Sequence, residues 1–193
     1  GEIERMSRLV DILCVSIHWG EEFVGIPNER ERALARAMVD RGASIVIGHH
    51  PHVIREVESY RGGIIAYSLG NFICDMVWNE KTVESGCLCV DIEKGKVRGH
   101  SFKPAIIGND YFPHFLPEDQ AVRFLQGKYR EYQRLSSLAA KKSYDYLSQY
   151  EMRRHQLLTG AFVLRNLHRY QPRFLYNMMY HAVISRMPFT KKR

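Results

Sequence analysis

The sequence contains no apolar run near the roughly 18 to 20 residues needed for a transmembrane helix. Its densest stretch is Ala161-Phe162-Val163-Leu164, and no segment resembles a secretory signal. The four cysteines, Cys14, Cys74, Cys87 and Cys89, include no Cys-x-x-Cys pair, which excludes a zinc ribbon. Their irregular spacing favours reduced thiols over a disulfide framework, with Cys14 in mid-strand and Cys87 and Cys89 on one strand face as small buried hydrophobes. Acidic residues are scarce at the C-terminal end. Residues 118–193 hold 5 Asp/Glu against 15 Lys/Arg, whereas residues 1–117 hold 16 against 13. The formal net charge of +7 therefore combines a net of −3 in the first part with +10 in the second. Helix-turn-helix, RNP-like and zinc-finger signatures are all missing, so the basic excess supports at most non-specific nucleic-acid binding.

What remains is an ordinary globular composition. Hydrophobic residues make up 45% of the 193 and charged residues 25%, enough to bury a core and too apolar for disorder. Gly1 to Leu9 reads as the end of a helix, with Ile3, Met6 and Leu9 at spacing three. Asp11–Ile17 is a β-branched run apolar enough for a buried strand. A first residue of Gly, followed at once by a helix and a strand, reads as a segment of a longer chain. Asn28 is placed to cap a helix over Glu29–Arg41, with Leu34, Ala37, Met38 and Arg41 on one face and Gly42 as its stop. A second buried strand follows at Ser44–Ile47. This is βαβ grammar, and the carboxyl ends of parallel strands are where such folds place their sites.

Later segments turn antiparallel. Val53–Tyr60 reads as extended, Arg61-Gly62-Gly63 as a turn, and Ile64–Leu69 as a strand ending at Gly70-Asn71-Phe72. Gly86–Ile92 and Lys96–Lys103 flank a turn at Lys94-Gly95 and form a hairpin. Pro104–Pro117 is a connector, after which spacings of three and four (Val122, Leu125, Tyr129, Tyr132, Leu135) predict helix with a break near Ser143. Shorter helices are expected at Phe162–Leu167 and Phe174–Met187, the last stopped by Pro188, with Arg and aromatic residues interleaved through Tyr180 and Arg186. The fold class is α/β, over residues 1–117, followed by a basic helical extension over 118–193. The extension is expected to bury its apolar faces and leave its basic side chains solvated, with an anionic membrane surface or polymer as a second use.

Both early strands end on histidine. His18 follows the first, and Gly48-His49-His50-Pro51-His52 follows the second. Neutral imidazole is the commonest ligand for zinc-like ions, and two His separated by one residue can reach one cation or two adjacent ones. Pro51 stiffens this element and Gly48 lets it turn. Glu22, four residues past His18, is within reach as a ligand or as the carboxylate that orients an imidazole.

The blocks His18-Trp-Gly-Glu-Glu22-Phe, Gly42–Val53 and Ile65–Phe72, in that order, resemble the closing part of the catalytic domain of the CapA family. These are poly-gamma-glutamate capsule biosynthesis proteins related to calcineurin-like metallophosphoesterases. The resemblance is close over residues 1 to about 75 and looser to about 105. It implies a sandwich of two mixed sheets flanked by helices, with two divalent cations at the strand ends; zinc, manganese and iron all suit the donors. His18 then matches a single-histidine ligand and His50 and His52 the paired ligands. His49 stands open between ligand, substrate contact and supporting residue, and Asn71 between presenting its amide to phosphate-like oxygens and capping a turn. Such a site also draws an early Asp, a bridging carboxylate and an Asn/His pair from the first half of its domain, and these residues are not in this sequence. The first half of the domain, in the same polypeptide or another, is therefore an implied partner. The implied activity is metal-dependent hydrolysis of a phosphoester or amide-type bond in capsule or cell-envelope metabolism. The competing class is a non-catalytic partner module working through the basic extension.

Overall fold

The computed structural model describes residues 1–173 and 176–177. The described chain divides into a unit over Gly1–Gln156 and a second from Leu157 onward. Short helix α1 (Glu2–Ser7) leads into β1 (Cys14–His18), α2 (Glu29–Asp40) and β2 (Ile45–His49). Strands β3 (Val57–Tyr60) and β4 (Gly63–Ala66) follow, then the short helix α3 (Glu80–Val83). Next come β5 (Glu84–Glu93), β6 (Lys96–Ile107) and β7 (Pro113–Phe115), and finally α4 (Glu118–Lys142) and α5 (Tyr144–Arg165).

The predicted α/β class and βαβ grammar hold. Strands β1, β2 and β4 run parallel, β3 pairs antiparallel with β4, and the sheet order is β1-β2-β4-β3. The second sheet, β5-β6-β7, is wholly antiparallel rather than mixed. It comes close to the first where β6 approaches β4. Asn28 caps α2 as expected: its Oδ1 accepts the Glu31 backbone N–H at 2.9 Å. An N-cap of this kind is worth about 1 kcal/mol.

Several local expectations need correcting. Among the described residues β1 is the outermost strand of its sheet; Val15 and Ile17 pack inward while Cys14, Ser16 and His18 are exposed. Cys14 is accordingly not a buried hydrophobe, and the other three cysteines are half-buried free thiols. Helix α2 is rotated from its expected phase. It buries Glu31, Ala35 and Val39, and Leu34 is exposed. The reason is a buried ion pair that hydropathy patterning does not register. Arg55 Nη1 meets Glu31 Oε2 at 2.5 Å, with both side chains almost wholly covered. Strand β7 lies in the segment read as connector and helix α3 in one where no element is expected, because four-residue helices and three-residue strands are too short to show a period.

The break at Ser143 is found, with φ of 119° there, and α5 continues through Phe162 to Arg165. Secondary structure changes at Pro117, but packing in the first unit continues through Gln156. Leu135 of α4 and Leu147 of α5 are fully buried with Val24 and Ile26 in a second apolar cluster. A charged lattice accompanies it. Lys128 Nζ reaches Glu84 and Glu131 at 2.5 Å each, and Lys81 Nζ reaches Glu131 at 2.9 Å and Glu151 at 3.0 Å. Burial works to raise the Glu131 pKa, but Lys128 and Lys81 together outweigh it and bring it to about 2. Arg154 pairs with Glu80 at 2.5 Å. Part of the extension's positive charge thus neutralises acidic groups of the α/β layer instead of facing solvent.

In the second unit, the Asn166 side chain donates to Phe162 O at 2.8 Å near the end of α5, and a 3-10 turn follows at Leu167–Arg169. Apart from Tyr176 and Asn177, the helix expected over Phe174–Met187, with Tyr180, Arg186 and the Pro188 stop, lies outside the described residues. Among the described residues no helix is long and apolar enough to cross a membrane.

Candidate metal centre

Parallel register places the ends of β1 and β2 side by side, pairing His18 with His49. Beyond them the two loops are stitched together. Trp19 N–H donates to His49 O at 3.1 Å and Phe23 N–H to Pro51 O at 2.9 Å. Gly48 does not supply the turn expected of it; it is a buried strand residue. A Cβ there would lie 2.2 Å from Trp19 Nε1 and 2.3 Å from Tyr67 O, in the way of the hydrogen bond by which that indole reaches Tyr67 O at 3.0 Å. The turn is made instead by His50 (φ 100°) and His52 (φ 58°), opposite Phe23 (φ 65°). Positive φ in residues other than glycine costs of order 1–3 kcal/mol each and persists where the surroundings over-determine it. Three such residues at one spot mark a rigidly held site.

Glu22, His50 and His52 converge. Each offers a ligating atom, and these atoms lie within 4.8 Å of one another. The His18 ring stands beside them, its centroid 4.5 Å from that of His50. Asn71 closes the arrangement from behind. Its Nδ2 donates to Thr82 O at 3.0 Å, which sets the amide orientation, so Oδ1 faces His52 Nδ1 at 2.9 Å. His52 must then carry its proton on Nδ1, leaving the Nε2 lone pair for a ligand. Both ends of the Asn71 amide are thus engaged, Oδ1 by the His52 ring and Nδ2 by backbone carbonyls.

All four histidines, with Asn71, line one cavity of about 580 Å³. Its wall continues through Phe72 and, on β5, Cys87 and Leu88, and it contains no Lys or Arg. His49 is exposed on this wall, outside the converging set. Another cavity, of about 340 Å³, lies beside α4 and is largely apolar, lined by Phe102, Leu125 and Tyr132 among others; it offers no convergent ligand set.

The loop carrying Glu22 is anchored by Arg55. Besides Glu31, Arg55 donates to Val24 O at 2.8 Å and Glu21 O at 2.9 Å. Gly20, with φ of 86°, is needed where that guanidinium passes, since a Cβ would lie 2.7 Å from Nη1. Burial pushes the Glu31 carboxyl upward, against the pull of Arg55.

One residue of the site has no warning in the sequence. His155 of α5 stacks on Phe23 with centroids 3.6 Å apart and planes 8° from parallel. Burial lowers its pKa, with His52 lowering it further and Glu22 opposing both. A lone histidine in a polar stretch of helix carries no spacing that would connect it to a loop 130 residues earlier.

Two kinds of similarity bear on the chain. Residues 1–76 match the family model described as bacterial capsule synthesis protein PGA_cap. The chain is 46% identical over 92 residues to the PGA biosynthesis protein CapA of Bacillus subtilis (strain 168), covering 48% of this chain and 24% of that protein. It is 54% identical over 68 residues to the capsule biosynthesis protein CapA of Bacillus anthracis, covering 35% and 16%. A probable polyglutamine synthesis accessory protein of Mycobacterium tuberculosis is 37% identical over 65 residues, 34% of this chain and 17% of that protein. The matched segments thus span about a quarter or less of each relative, and residues 1–76, matched by the family model, contain His18, Glu22, His49, His50 and His52.

Proposed function

We propose, from the match of residues 1–76 to the capsule-synthesis family model and to the two CapA relatives, that the chain is part of a CapA-family domain and contributes one half of a metal-dependent hydrolase centre serving capsule or cell-envelope polymer metabolism, of the poly-gamma-glutamate kind named for its relatives. The observation that carries the proposal is the convergence of Glu22, His50 and His52, with Asn71 holding His52 in the tautomer that frees Nε2.

The donor set fits divalent cations: two imidazoles and a carboxylate within reach of one another, with a third imidazole, His18, beside them. Glu22, His50 and His52 would hold one cation, and His18 would share in a second with carboxylates from the domain's first half. Bound cations supply Lewis acidity toward a phosphoryl or acyl oxygen and lower the pKa of a water. The chain's own residues orient and enclose. Asn71 fixes the His52 ring, and the uncharged wall of Phe72, Cys87 and Leu88 leaves the cations as the main attraction for an anionic group. A phosphoester or an amide-type bond is the substrate class, and the metallophosphoesterase-like sandwich is the frame proposed for it. The test is metal analysis of the protein together with its native upstream sequence. The expected result is one to two equivalents of zinc, manganese or iron, and no bound metal would sink the proposal.

A second reading, binding of an anionic polymer or membrane surface by the extension, is favoured by one feature. Arg123, Arg130, Arg134 and Lys141 are all exposed, and at spacings of seven, four and seven they share one stripe of α4. Replacing Arg130, Arg134 and Lys141 with Gln should reduce retention on polyglutamate at low ionic strength severalfold while leaving metal content unchanged. Retention that is insensitive to salt and to these substitutions would rule this reading out.

A further inference from the structure

We propose that His155, in the helical extension, is a positioning residue of the metal centre, bracing Phe23 and through it the Glu22 and His52 ligands. The inference rests on the metal-centre reading above. It starts from Asn79, the buried N-cap of α3. Asn79 Oδ1 accepts the Lys81 backbone N–H at 3.1 Å, so its other amide atom, Nδ2, is the donor that meets His155 Nδ1 at 3.0 Å. The ring is thereby fixed in rotation as well as in tautomer.

So held, the His155 ring lies flat on one side of Phe23, whose ring in turn stacks toward His52 at 6.1 Å and 26°. Phe23 is the residue after Glu22, has a left-handed backbone, and donates its N–H to Pro51 O between His50 and His52. A side chain that keeps Phe23 in place therefore restrains both loops of ligands at once. Further hold comes from two ion pairs just before it on the same helix: Lys81 with Glu151, one turn before His155, and Glu80 with Arg154, the preceding residue. The extension is on this account a structural component of the site, although the residues matched by the family model end at 76.

The test uses Co²⁺ as probe in the full-length protein, reading affinity by titration and ligand geometry by the visible absorption bands, alongside the thermal midpoint without metal. His155→Ala removes the ring and should weaken Co²⁺ about tenfold, the lower end of what removing a ligand-orienting partner costs, and alter the absorption bands. His155→Phe keeps a ring on Phe23 but leaves the Asn79 amide without this acceptor. It should keep Co²⁺ affinity within about twofold of the parent while lowering the midpoint. Unchanged affinity and bands in His155→Ala would overturn the inference. So would losses in both variants that merely follow the midpoint, since a purely structural role predicts that pattern. Should the parent protein bind no Co²⁺, the metal-centre reading itself fails, a result distinct from either.

Discussion

His52→Asn is expected to weaken divalent-cation binding in the full-length protein by roughly a hundredfold or more, beyond the ten- to hundredfold typical of losing an outer partner. Asparagine is chosen because His52 has φ of 58°, and Asn tolerates the left-handed region better than other side chains that carry a Cβ. The backbone turn and the Phe23-to-Pro51 hydrogen bond should therefore survive, and the loss would report on the imidazole. Asn71→Ala gives the matched comparison. It leaves every ligand in place but frees His52 to rotate and to change tautomer, so about tenfold weaker binding is expected. Isothermal titration with Mn²⁺ or Zn²⁺ orders the two effects. Equal, small changes in both variants would mean that the histidine cluster does not hold a cation.

Arg55→Ala carries the largest expected effect on stability. The substitution strands the Glu31 carboxylate, which is 5% exposed, and removes the donors to Val24 O and Glu21 O. Breaking a buried ion pair from one side costs about 3–5 kcal/mol. At roughly 2–4 °C per kcal/mol for a protein of this size, the thermal midpoint should drop by on the order of 10 °C. The double variant Glu31→Gln/Arg55→Met should recover part of that loss, because no charge is then buried alone. Metal affinity of Arg55→Ala, measured well below its midpoint, should also fall, since the loop that carries Glu22 loses its anchor. A midpoint within about 2 °C of the parent would show that the pair contributes little.

The histidine element was legible because its chemistry is concentrated: three histidines in five residues at a strand end, with a fourth after a neighbouring strand. The parallel strands were legible from runs such as Ile45-Val46-Ile47, and α2 from its Asn28 cap. The face of α2 was not, because Glu31 is drawn inward by an arginine 24 residues away and hydropathy treats both as surface. The outer position of β1 among the described strands escaped for a related reason. A run of apolar residues does not say how many neighbours its strand will have.

Residue order by itself determined the α/β class, the placement of histidines at strand ends, the break at Ser143 and the split of charge along the chain. All of these depend on contacts or patterns within a few residues. Only the tertiary structure decided that Glu22, His50 and His52 converge, that Asn71 fixes the His52 tautomer, and that His155 reaches the site from the extension. Each of these depends on the direction of one side chain across a long separation in sequence, set by packing and by the pairing of buried charges.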